Sequence, residues 1–217
     1  MDPTPDTQPD FPDERPQRRR EYSGAGSTLG IAALIIVLVG AGIWWFEIRG
    51  DSGAGIETRG LGIATLPEAL NATGRPAAAQ EGRAAPNFRL ADLAGGTASL
   101  TDYRGRYVLV NFWASWCKPC RQETPDLQAL SSRADSAKLV VLGVNQQESP
   151  GDARSFAAEF SVTYPILLDR TGEVSLGYRV GGLPLTVLID PEGVIRRLYL
   201  GRITAEDLAK LEADFLS

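Results

Sequence analysis

The stretch Val110-Asn111-Phe112-Trp113-Ala114-Ser115-Trp116-Cys117-Lys118-Pro119-Cys120 holds both cysteines of the 217-residue chain, three places apart. They follow an apolar, strand-like run and precede a helix-like run that begins at Arg121. A Cys-x-x-Cys pair at such a junction reads as a redox site rather than a structural staple. A ring closed over so few residues removes little chain entropy and strains easily, so a static crosslink there would stabilise the fold only weakly.

Composition narrows the chemistry further. Histidine is absent, which removes Cys-x-x-Cys-His haem attachment, Cys/His zinc sites and any Ser-His or Cys-His catalytic pair. Two cysteines cannot build a structural zinc site, which wants four nitrogen or sulfur ligands. The 22 basic and 27 acidic residues leave a mild negative charge, which argues against a nucleic-acid-binding surface. Dithiol–disulfide chemistry remains, with no metal and no cofactor expected.

Residues 1–27 are rich in Pro, Asp and Arg and nearly free of aliphatic side chains, a composition that cannot offset its own ordering entropy and predicts a disordered tail. From Tyr22 through Phe46 there is no charged residue, and Leu29 to Phe46 is almost wholly apolar. As a helix that run spans about 27 Å, close to the hydrocarbon core of a bilayer. Trp44, Trp45 and Phe46 stand where an interfacial aromatic belt would be. We expect a transmembrane helix over 28–46. Arg15, Arg18, Arg19 and Arg20 precede it, so the positive-inside rule keeps the N-terminus cytoplasmic and sends the rest outside the cell membrane. No small-residue cleavage site follows the run, which favours an uncleaved single-pass anchor over a signal peptide. Residues 47–84 read as a linker or tether; whether any of it packs on the domain is left open by the sequence.

The folded unit is expected over 85–217. Phe88 to Leu90 and Thr97 to Leu100 form a hairpin around Ala94-Gly95-Gly96. Tyr107 to Phe112 and Leu139 to Asn145 are continuous apolar strands of a sheet covered on both faces. Ile166 to Leu168, Leu185 to Ile189 and Ile195 to Leu200 are further strands, the last two joined by a Pro191-Glu192-Gly193 turn. Helices are expected over Arg121 to Ala134 (with Pro125 as a kink), Asp152 to Phe160, Glu173 to Tyr178 and Ala205 to Leu216. The pattern is an α/β fold with a central mixed sheet flanked by helices.

Within it, Cys117 is the expected nucleophile. It sits where a helix begins, and unsatisfied backbone N–H groups and the helix dipole stabilise a thiolate there; Lys118 adds a nearby positive charge. Cys120, one turn on, would be shielded and would resolve the mixed disulfide. Against this stands the plain alternative of two incidental cysteines.

These residues resemble the thioredoxin superfamily. More narrowly, Ala85-Pro86-Asn87-Phe88, Leu100-Thr101-Asp102-Tyr103-Arg104-Gly105 and Asn111 through Cys117 are similar to the membrane-anchored TlpA/ResA-type thiol–disulfide oxidoreductases, over about Ala85 to Ser217. The resemblance implies a thioredoxin-like fold with an N-terminal β-hairpin. It implies protein thiol and disulfide clients, apo-cytochrome c among them, met by Trp116, Lys118 and Pro119. A membrane electron donor of the DsbD/CcdA type and a monomeric chain belong to the same expectation. It also places a cis proline at Leu183-Pro184, with Leu183's backbone beside the client strand, where the competing reading is an ordinary loop proline. Cytoplasmic thioredoxins carry an Asp where this chain has Asn111, whereas ResA-like proteins resemble it in having Asn there and a Glu at the place of Glu123. If Glu123 faces the dithiol it raises the thiol pKa values and serves as acid and base; otherwise it is a solvated first-turn glutamate. The family's Pro-Thr-x-Phe is Pro184-Leu185-Thr186-Val187 here, which makes the client-facing edge more apolar.

The expected activity is therefore an extracytoplasmic protein-disulfide reductase of the cytochrome c maturation kind. A DsbA-like oxidant differs from it only in reduction potential. A peroxiredoxin-related peroxidase would need Thr where Ala114 stands. A copper-carrying module lacks its histidine, and a scaffold with an inert disulfide is the non-enzymatic alternative.

Overall fold

The computed structural model describes Ile31, residues 34–39, Ala41 and residues 61–216, and the chain divides into two units, 1–55 and 56–217. In the first unit the described residues are helical and exposed. Among the described residues no helix is long and apolar enough to cross a membrane. The tail expected over 1–27 and most of the span expected over 28–46 lie outside the described residues.

The second unit is built on an eight-stranded mixed sheet. Its elements are β1 (Gly62–Ile63), β2 (Phe88–Asp92), β3 (Thr97–Ser99), β4 (Tyr107–Trp113), α1 (Lys118–Arg133), β5 (Leu139–Gln146), α2 (Pro150–Glu159), β6 (Ile166–Asp169), α3 (Glu173–Gly177), β7 (Leu185–Ile189), β8 (Ile195–Leu200) and α4 (Ala205–Phe215). The strands lie in the order β1-β2-β6-β5-β4-β7-β8, with β3 on β2. The β4–β5 and β5–β6 pairs are parallel, and β4–β7 and β7–β8 antiparallel. β4 is thus central, which explains its nearly uninterrupted apolar sequence: both faces are covered.

Alternation along β4 sorts the two cores. Val108, Val110 and Phe112 face a cluster with Phe88, Leu167, Tyr178 and Val187. Leu109 and Trp113 face the other, with Cys117, Cys120, Leu127, Phe156 and Leu208. Asn111 shares the parity of Leu109 and Trp113, so the strand aims it at the face that carries α1. Directly across the antiparallel ladder from Asn111 is Thr186.

α1 starts at Lys118, three residues earlier than expected. Lys118 and Pro119 occupy the first helical positions, where a backbone N–H has no partner inside the helix anyway, so Pro119 costs nothing there. Its buried stripe is Cys120, Glu123, Thr124, Leu127 and Leu130. A carboxylic acid therefore takes a place that the helical period reserves for an apolar side chain.

From Leu61 onward the segment read as a tether packs on the domain. β1 pairs with β2, and Asn71 through Ala84 is folded back by backbone hydrogen bonds. Residues 81–84 run along β8: Gly82 N donates to the Ile195 carbonyl at 2.8 Å, Ile195 N donates to Arg83's carbonyl at 2.9 Å, and Leu198 N donates to Glu81 Oε1 at 3.2 Å.

Candidate active site

Cys117 and Cys120 form a disulfide, S–S 2.05 Å with Cα atoms 5.3 Å apart. Cys117 is the N-cap of α1, and its Sγ accepts the Cys120 backbone N–H at 3.2 Å. One of the unpaired N–H groups at this helix end is thus already aimed at sulfur, which favours negative charge on Cys117. Cys120 is fully buried, while Cys117 keeps a residual 3% exposure. Lys118 and Pro119 are exposed, and Trp116 projects with 73% of its surface free.

The Leu183–Pro184 peptide bond is cis. Leu183 packs on the same core cluster as the two cysteines. Trp116 and Leu183 line a groove of about 420 Å³ with Gln146, Gln147 and Val180, an uncharged surface. On Trp116's other side a groove of about 240 Å³ carries Arg121, Asp152 and Glu159. A further surface cavity, about 440 Å³ between Asp92, Arg154 and Tyr164, contains none of the dithiol residues.

Glu123 is fully buried, so the solvated first-turn alternative fails. Its two oxygens accept separate donors: Oε1 takes Asn111 Nδ2 at 2.7 Å, and Oε2 takes the Ile203 backbone N–H at 2.8 Å. Asn111 Nδ2 also donates to Thr186 Oγ1 at 2.9 Å. Burial raises the Glu123 carboxyl to a pKa of about 7, against the lowering effects of the Ile203 and Asn111 hydrogen bonds and the Arg202 charge. A carboxyl poised there can take or give a proton near neutral pH. It lies one helical turn from Cys120, on the same buried stripe.

One further carboxylate, Glu148, escaped the sequence reading. It follows β5 and accepts Ser115 N at 2.8 Å, Ser115 Oγ at 2.6 Å and Asn145 Nδ2 at 2.6 Å. Three hydrogen bonds to one charged group tie the loop after β5 to the residue next to Trp116. No local pattern announces the tie to Ser115, which lies 33 residues from Glu148.

A sequence profile of the AhpC/TSA family matches residues 82–198. The chain belongs to the AhpC/TSA family. The chain is 42% identical to the thioredoxin-like protein YneN of Bacillus subtilis over 62% of this chain and 81% of that one. It is likewise 42% identical to the thiol-disulfide oxidoreductase ResA of Geobacillus thermodenitrificans, over 58% of this chain and 73% of that one. A solved thioredoxin domain of a thiol-disulfide oxidoreductase from Bacteroides vulgatus superposes with a TM-score of 0.58 at 29% identity, covering 64% of this chain and 99% of that one. The fold is thioredoxin-like, and this AhpC/TSA member is a thiol–disulfide oxidoreductase whose only cysteine pair is Cys117 and Cys120.

Proposed function

We propose that this thiol–disulfide oxidoreductase is an anchored, extracytoplasmic reductant of protein disulfides, apo-cytochrome c among its clients, recharged by a membrane electron donor of the DsbD/CcdA type. The apolar run within 28–46 and the arginines before it are the support for location. The oxidoreductase domain then begins after the anchor, and its clients meet it at Trp116, Lys118, Pro119 and the Leu183–Pro184 edge.

In the reduced protein the Cys117 thiolate attacks one sulfur of the client disulfide. A Cys117–client bond forms, the client's S–S bond breaks, and its other sulfur leaves as a thiolate. Cys120 then loses its proton and attacks Cys117 Sγ, forming the Cys117–Cys120 disulfide and releasing the second client sulfur. Two electrons pass to the client, and its two sulfurs take up two protons. Glu123 accepts the Cys120 proton, since it is the buried base one turn away.

The observation that carries the direction is Glu123. A buried carboxyl one helical turn from Cys120 opposes thiolate charge there. DsbA is a strong oxidant because its reduced form is stabilised; withholding that stabilisation makes a couple more reducing. The Cys120 N–H and Lys118 act the other way on Cys117 and favour the oxidant reading. The peroxidase reading finds at Ala114 a buried methyl group in place of a hydroxyl.

The test is a pair of variants and a potential. Cys117→Ala abolishes reduction of insulin or apo-cytochrome c, and Cys120→Ala accumulates a mixed disulfide. Full activity in both variants would end the proposal, and a potential above about −180 mV would reverse its direction, because the isomerase-to-DsbA range begins there.

A further inference from the structure

Thr186 lies on β7, two residues past the cis bond, and is fully buried. The β4–β7 register sets it opposite Asn111, and its Oγ1 is 2.9 Å from Asn111 Nδ2. The second hydrogen of that same amide goes to Glu123 Oε1 at 2.7 Å. Nδ2 thus donates to both neighbours, and while Glu123 is ionised only this orientation of the amide serves its carboxylate. Turned over, Asn111 would bring its oxygen against the carboxylate, which cannot donate to it while ionised.

We propose that Thr186 is a positioning residue for disulfide exchange: its hydroxyl bonds the Asn111 amide in the orientation that the protonation state of Glu123 calls for and, through it, holds Glu123 in place one helical turn from Cys120. The inference rests on Glu123 being the proton-handling group of the proposed reaction.

The residue type fits this task. A β-branched side chain suits a buried central strand with or without oxygen, so Val would pack as well. The hydroxyl adds a group that costs free energy to bury unless it is bonded. A hydroxyl also does what no carbonyl or amine can: it accepts from the amide while Glu123 is ionised, and it donates to the amide oxygen when Glu123 is protonated and Asn111 turns. Both protonation states then keep their buried polar groups satisfied. The other groups that act on Glu123 are Arg202 and Asp126, paired at 3.8 Å, the Ile203 N–H, Tyr164, whose own hydroxyl is held neutral by burial, and the dithiol itself. Substituting Thr186 alters none of these directly.

The experiment is the pH dependence of client-disulfide reduction by the full chain carrying Thr186→Val, Thr186→Ser, Thr186→Ala or Glu123→Gln. In Thr186→Val the Asn111 donor is less well aimed, the ionised carboxylate loses part of its support, and the Glu123 limb moves up by about 0.5 to 1 pH unit. Thr186→Ser restores the wild-type limb, and Thr186→Ala carries the same expectation as Val with the branched packing removed. A loss of thermal stability without movement of the limb would overturn the inference, as would failure of Ser to restore it. If Glu123→Gln removes the limb while Thr186→Val leaves it in place, only the role of Thr186 falls. If Glu123→Gln keeps the limb, the reading of Glu123 falls and this inference with it.

Discussion

Asn111 Nδ2 and Glu123 Oε1 are 2.7 Å apart, one on the strand before the dithiol and the other on the helix after it. Around this contact the site keeps a titratable group in its interior at a pKa of about 7.

Stability must therefore depend on pH. Folding raises the Glu123 pKa, so between about 4.5 and 7 the native state holds a proton that the unfolded chain has released. The associated stabilisation is fully present at and below pH 4.5, falls as pH rises, and is gone above about 7. Its size is at most about 3.5 kcal/mol, since each tenfold gain in proton affinity on folding is worth roughly 1.4 kcal/mol. Urea melts of the oxidised protein at pH 5 and pH 8 should show this slope, and Glu123→Gln should flatten it. A slope of the same size in the Gln variant would assign it to another group.

Trp116 predicts a separation of binding from folding. Being 73% exposed, it contributes little to the native state, so Trp116→Ala should change stability by no more than about 0.5 kcal/mol. Reduction of a protein client should nonetheless slow by about tenfold, on the scale of 1.4 kcal/mol of lost contact. A small-molecule disulfide should be reduced at the wild-type rate. Equal losses on both substrates would show that the indole acts on the dithiol rather than on the client.

Glu148 predicts the opposite pattern. Glu148→Ala leaves the Ser115 and Asn145 donors without their carboxylate, at a cost of about 1–3 kcal/mol. Thermal melts should record that loss together with slower exchange on every substrate, because the loop that carries Trp116 is no longer pinned. A fully stable Ala variant would show that water replaces the carboxylate without penalty.

Gly143 predicts a packing failure. A Cβ built there would lie 2.9 Å from Trp113 Nε1 and 3.1 Å from Tyr164 Cε2, and the indole is already stacked on Phe156 with centroids 4.2 Å apart. Gly143→Ala should destabilise by about 1–3 kcal/mol, the range for an overpacked core, measured by chemical denaturation. An unchanged midpoint would mean that the rings yield freely.

The fold was legible where one covalent stretch carries its own reason. Tyr107 to Phe112 reads as a central strand because burial on both faces removes any polar alternation, and the Pro191-Glu192-Gly193 turn announces β7 and β8. The helix expected from Arg121 starts three residues earlier, at Lys118, where Pro119 fits because the first turn asks nothing of its missing N–H. β1 went unseen: two residues make no periodicity, and what holds Gly62 and Ile63 is pairing with β2.

The site was legible in its sulfur atoms and less so in its proton chemistry. Cys117 and Cys120 declare themselves by spacing. Glu123 admitted two readings, because a first-turn glutamate is ordinary on an exposed face and exceptional on a buried one. What decides between them comes from afar: Thr186 reaches Asn111 across 75 positions, and Ile203 offers only a backbone N–H, which leaves no trace in side-chain identity.

The strap formed by residues 81–84 has a bearing on how chains meet. A bare outer strand would recruit any extended segment, including that of a second molecule. Here the Ile195 amide and carbonyl and the Leu198 amide are already committed to Glu81, Gly82 and Arg83, and at the other margin β1 and β3 are two and three residues long. The sheet is self-terminated. An arriving polypeptide finds little backbone to zip onto at either margin, and is left to dock beside the sulfur atoms, where a transient encounter ends in exchange rather than in a stack of strands.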